Sequence, residues 1–224
     1  MLQDACKQGR LIAFAAILAA TVAPAIAIMM KRAGLLVLLL FTACTASSGP
    51  GTTESATREV SRYAVIHEGP ELAVALGFFQ ATKSIGDEWL ILAVELTASA
   101  GSGRTIVNHS DISVISPDGR RLALASQEEF RENYGAVRVA VERALRSLPI
   151  LGRYDRSQMP CDRWFLVGPF GGFAYEEVPV NTFQLCSGPL VFKVVGGIQP
   201  GRWRLIIELE ESRVDVPFEL YAED

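Results

Sequence analysis

Only two histidines, His67 and His109, occur in the chain of 224 residues, so imidazole chemistry has few ways to be assembled. A blue-copper centre needs two histidines, a cysteine and a weak axial ligand. Met159 stands close to Cys161, but no histidine follows that cysteine, and no copper site is expected. Both histidines read as loop or strand-end residues. A nucleophilic triad needs Ser or Cys beside His and a carboxylate in a suitable turn. No G-x-S-x-G occurs, and Ser102 in Gly101-Ser102-Gly103 reads as part of a loop. The carboxylate pairs Glu128-Glu129, Glu176-Glu177 and Glu210-Glu211 are adjacent in sequence, so their side chains point apart and read as solvated faces. No catalytic constellation, metal or cofactor is expected.

The stretch from Lys31 to Cys44, KRAGLLVLLLFTAC, carries a different kind of chemistry. Two cations precede an unbroken apolar run from Leu35 to Phe41, then small residues and a cysteine, the layout of an export signal. The run is too short for the roughly 20 apolar residues that a spanning helix requires. Phe41-Thr42-Ala43-Cys44 resembles the lipobox of bacterial lipoproteins, although that family favours Leu where Phe41 stands. The resemblance implies that residues 29–43 are a lipoprotein signal peptide and that Cys44 is acylated and becomes the new N-terminus. Thr45 after the cysteine implies sorting to the outer membrane, facing the periplasm. The alternative is an ordinary signal peptide with Cys44 free or in a disulfide.

A second apolar run, Leu11 to Met30, lies upstream, led by Lys7 and Arg10. Two export signals in series are not expected, and Met29 and Met30 directly precede Lys31, so residues 1–28 read as a mis-assigned start or an extra hydrophobic segment. Without residues 1–43 the chain keeps 17 of its 21 basic and 24 of its 25 acidic side chains, a formal charge near −7. Such a domain offers no electrostatic footing for nucleic acid. Asn108-His109-Ser110 fits the glycosylation pattern, which a bacterial export signal makes coincidental. Of the four cysteines only Cys161 and Cys186 remain in the domain. Zinc would want four ligands and a close Cys or His pair. An exported pair is expected as a disulfide, closing a loop of roughly 25 residues worth about 3 kcal/mol.

Residues 44–58 are small and polar and read as a flexible tether. From residue 59 to 224 the pattern is one domain of short strands. Expected strands are Tyr63–Ile66, Leu72–Phe79, a central Trp89–Leu96 that is apolar at nearly every position, and Asp111–Ile115 and Arg120–Ala125 around a Ser116-Pro117-Asp118-Gly119 turn. Ser126 with Glu129 forms a capping-box signature. Phe130, Tyr134, Val137, Val141, Ala144, Leu145 and Leu148 then recur at helical spacing, giving a helix over about 127–148 whose stripe packs on a sheet. Gly135 predicts a kink or two short helices. A short strand at Trp164–Val167 is expected, followed by an irregular loop stapled by Cys161 to a strand ending near Cys186. Alternation of Trp203, Leu205, Ile207 and of Val214, Val216, Phe218, Leu220 predicts a closing hairpin, with Pro217 at an edge or bulge.

About ten strands with one helical insertion predict a mainly β fold, a β-sandwich. The order of central strand, Ser-Pro-Asp-Gly hairpin and closing hairpin looks like the immunoglobulin-like domains of many bacterial lipoproteins. The Cys…Trp…Cys arrangement of true immunoglobulin domains is not matched, because Trp164 stands three residues after Cys161. Phe170, Phe173 and Tyr175 with nearby glycines are the candidate interaction loop, either an exposed recognition surface or a buried cap on the sandwich, with burial the expectation. The leading functional expectation is a non-enzymatic, membrane-tethered domain that meets another envelope protein. The alternative is an envelope enzyme or ligand-binding protein acting on glycan or peptide through residues 149–180, with Asp155, Asp162, Glu176 or Glu177 as polar contacts.

Overall fold

The structure, a computed structural model, describes residues 56–147 and 159–222. The two apolar N-terminal segments, Cys44, Leu148 and Asp155 lie outside those residues. The fold is mainly β, with twelve strands in the described residues. A six-stranded sheet runs in the order β1 (Ala56–Ser61), β2 (Ala64–Glu68), β3 (Leu72–Gly77), β4 (Trp89–Ala98), β10 (Gln184–Lys193) and β8 (Met159–Pro160). A four-stranded sheet has the order β12 (Arg213–Leu220), β11 (Gly201–Glu208), β6 (Ile112–Ile115) and β7 (Arg121–Ala123). β5 (Arg104–Asn108) and β9 (Glu177–Asn181) form a separate antiparallel ribbon.

β4 is central, as its composition predicts. It is buried at every position except Trp89, so both of its faces need cover. α1 (Phe79–Lys83) and α3 (Tyr134–Arg146) lie against it, and Trp203, Leu205, Ile207, Val214, Val216 and Phe218 of the four-stranded sheet join the same core. The Phe78 and Phe218 rings, 5.3 Å apart, tie the end of β3 to β12. The predicted helix is two: α2 (Gln127–Glu132) and α3 break at Asn133, one step ahead of Tyr134-Gly135. The Ser126 hydroxyl caps α2 by accepting from the Glu129 amide, and the Asn133 amide group donates to the Glu129 carbonyl. Phe130, Val137, Val141 and Ala144 are buried, whereas Leu145 faces solvent. Both predicted hairpins form, with Ser113 opposite Ala123 and Glu208 opposite Arg213. Pro217 lies in the edge strand β12.

Several expectations are corrected. Residues 56–58 belong to β1 and not to a tether. Phe79 opens a helix and does not close a strand. Trp164–Val167 is not a strand, although Trp164, Phe165 and Leu166 are buried. Cys186 sits near the start of β10, which continues through Gly188-Pro189 to Lys193. That continuation is possible because the Pro189 and Val191 carbonyls accept from Trp164 and Ala125 on the side away from β4. The missing proline N–H therefore falls where no ladder bond is needed.

His67 is the one buried histidine, the penultimate residue of β2. Its Nδ1 is 2.7 Å from the Thr57 hydroxyl, and with Arg204, Asp215 and Pro217 it walls a shallow cleft between β2 and the outer face of β12. Burial pushes its pKa below the usual imidazole value, against a smaller upward pull from Asp215. Below about pH 6.5 the unfolded chain takes up a proton that the folded chain refuses, so the contribution of His67 to stability is complete above that pH and is lost as pH drops toward the folded pKa. Urea midpoints measured from pH 7 to pH 5 are expected to fall more steeply for the parent than for His67→Gln. Parallel slopes would refute the assignment.

Candidate functional site: an anchored aromatic loop

Residues 161–176 are irregular in backbone yet fixed at many points. The Cys161–Cys186 disulfide ties the start of the segment to β10. Three residues on, the Trp164 indole lies over Gly188, and its N–H donates to the Pro189 carbonyl at 2.8 Å. A Cβ on Gly188 would stand 2.1 Å from the indole nitrogen, so only glycine admits the ring there. Phe165 packs on Trp164 and on His109, with ring centroids at 5.3 and 6.2 Å. His109, which opens a short 3-10 turn after β5, has its Nε2 2.9 Å from the Ala125 carbonyl, and its amide donates to Glu176.

The Gln127 side chain at the start of α2 binds Val167 twice. Its amide nitrogen donates to the Val167 carbonyl at 2.8 Å, and its oxygen accepts from the Val167 amide at 3.0 Å. Gly168 sits against the Tyr134 ring with no room for a Cβ, which would come within 2.8 Å of it. The Gly171 amide then donates to the Gly168 carbonyl, closing a turn with Pro169 at its second place and Phe170 at its third. The chain returns through Tyr175, whose amide donates to the Trp164 carbonyl and whose ring lies 5.1 Å from the Arg163 guanidinium.

Phe170 is fully exposed and Phe173 is 84% exposed, so the expectation that the loop aromatics are buried is wrong for both. The buried cap is made instead by Trp164, Phe165 and Leu166. Tyr175 is half-buried and serves as an anchor. Phe170 stands at the third place of the Gly168–Gly171 turn, and Phe173 follows two residues after that turn closes.

The other sequence candidates do not converge here. Asp162, Glu176 and Glu177 are exposed, and Glu177 lines a cleft beside β5. The Ser102 hydroxyl donates to the Ser99 and Glu71 carbonyls, a structural role. Among the described residues no group of three or more His, Cys, Asp or Glu could hold a metal ion, and no helix is long and apolar enough to cross a membrane. No protein-family model, curated protein or solved structure matches the chain.

Gly188→Ala forces the indole out of its seat, and overpacking of this kind costs about 1–3 kcal/mol. The expected result is a lower urea midpoint together with a red-shifted tryptophan emission. An unchanged midpoint and spectrum would show that Trp164 does not occupy β10 in this way.

Proposed function

We propose that the chain is an exported, lipid-anchored domain of the cell envelope that presents Phe170 and Phe173 to a partner protein. The observation that carries this reading is two exposed phenylalanines on a loop whose neighbours are tied down by a disulfide, a bidentate glutamine and a packed indole. Full burial of a phenylalanine is worth about 1.5–3 kcal/mol, so leaving two in water forgoes several kcal/mol that a partner can recover. A loop already ordered before binding loses little further entropy on association. Aromatic side chains, phenylalanine among them, are also enriched at the buried centre of protein interfaces.

The remaining support lies in the lipobox-like Phe41-Thr42-Ala43-Cys44, with Cys44 as the acylated residue and the outer membrane, periplasmic side, as the location. A disulfide fits an oxidising compartment. The two larger sheets share one core, which supports the finer description of the fold as an immunoglobulin-like sandwich.

Replacing Phe170 and Phe173 together by alanine is expected to leave the melting temperature unchanged while abolishing photo-crosslinks to envelope proteins from a probe at position 172. Crosslinks that persist, or a loss of folding, would remove the loop from the reading. Metabolic labelling with a fatty acid is expected to mark the chain and to disappear on Cys44→Ala, and label surviving that change would rule out the anchor.

A further inference from the structure

Among the described residues, β5 leaves one backbone edge unpaired. Its register with β9 places Asn108 opposite Glu177, Ile106 opposite Pro179 and Arg104 opposite Asn181. One residue further on, the His109 amide donates to the Glu176 carbonyl at 2.8 Å, so that pair is hydrogen-bonded. Bonded and non-bonded pairs alternate along an antiparallel ladder. Val107 and Thr105 are therefore the residues bonded to β9, and the N–H and C=O groups of Arg104, Ile106 and Asn108 turn the other way. Pro179, which has no N–H to give, stands opposite Ile106 in agreement with this. Among the described residues no strand pairs with that outer edge.

The edge borders a groove of about 490 Å³. β5 forms one wall, and Glu208, Leu209 and Glu210 at the β11–β12 turn form another. Glu71, Asp111 and Glu177 complete an acidic lining in which Arg104 is the single cation among the described residues. Glu208 is bound to Arg121 at 2.7 Å, but Oε1 of Glu71 is shielded from solvent and has no hydrogen-bond partner among the described residues. A buried acceptor without a partner is unfavourable, and a donor entering the groove would relieve it. Ile106, at 45% exposure, adds an apolar contact at the middle of the edge. An unpaired strand edge is a template for strand addition, a recurring mode of peptide recognition.

We infer that the open edge of β5 takes up an extended, basic segment of a partner protein as an added strand, its backbone pairing with Arg104, Ile106 and Asn108 and its Lys or Arg side chains meeting Glu71, Glu177 and Glu210. The inference rests on the reading of the chain as an interaction domain and places a second contact surface on it, apart from Phe170 and Phe173. A second copy of this chain is disfavoured as the occupant, because two acidic grooves would face each other.

The test uses the purified protein and a dye-labelled peptide of three Lys-Val repeats. Saturable binding is expected, weakened at least tenfold when alternate residues of the peptide are N-methylated, when Lys is replaced by Glu, and in Ile106→Pro. That variant removes an N–H on the open edge without touching the β9 ladder. Phe170→Ala with Phe173→Ala is expected to bind the peptide as the parent does, so that failure of the loop reading and failure of this one are separately visible. Equal binding of the N-methylated peptide would show charge adsorption without strand addition and would overturn the inference, as would no saturable binding. A dimer of the chain that Ile106→Pro dissociates would overturn it in favour of a second copy. Should Ile106→Pro fail to fold, Glu71→Gln with Glu177→Gln decides, a tenfold loss supporting the inference and unchanged binding overturning it.

Discussion

The rest of the structure depends on the burial of β4 on both faces. A strand reading WLILAVELTA exposes apolar side chains on either side of its pleat, and each side must be covered by a separate layer. Helices α1 and α3 supply cover, and the four-stranded sheet contributes to the same core. The same demand makes β10 necessary as the neighbour of β4 over eight residue pairs, from Lys193 opposite Trp89 to Cys186 opposite Leu96. β10 then becomes the platform on which the less regular part of the chain is built.

Three features of β10 follow one another in sequence and act on one loop. Cys186 holds Cys161, Gly188 leaves the space for an indole, and the Pro189 carbonyl accepts its N–H. With Gln127 holding Val167 from the other side, the loop needs no strand or helix of its own to be ordered. Backbone groups buried in an irregular segment must find partners, and here the Gln127 side chain and backbone bonds within the loop and to β10 supply them. The consequence is a tip, Pro169 to Phe173, that extends apolar side chains into water from a fixed base.

Much of the framework was legible in the residues. β4, the hairpin at Ser116–Gly119 and the closing hairpin rest on periodicity and turn chemistry, which are local, and the helical stripe from Phe130 to Ala144 with its serine cap is equally local. Elements whose sequence contradicts their local preference were not legible. β10 carries Gly188-Pro189 and β9 carries Pro179, each of which reads as a break until the ladder shows that the missing N–H faces away from the partner strand. The exposure of Phe170 and Phe173 was illegible for a related reason. Aromatics default to burial in any composition argument, and only the tertiary anchors at Trp164, Val167 and Tyr175 leave these two outside.

The claim on which the functional account stands is that the aromatic loop is ordered before any partner arrives. Native-state hydrogen exchange at the Val167, Gly171 and Tyr175 amides tests it most directly, because each donates a hydrogen bond inside the loop or to its base. The account predicts that Val167 and Tyr175 exchange on the slow timescale of the β4–β10 ladder, with Gly171 retarded relative to unstructured chain. Exchange at all three at the rate of an unstructured peptide would contradict it and would leave Phe170 and Phe173 without a fixed base.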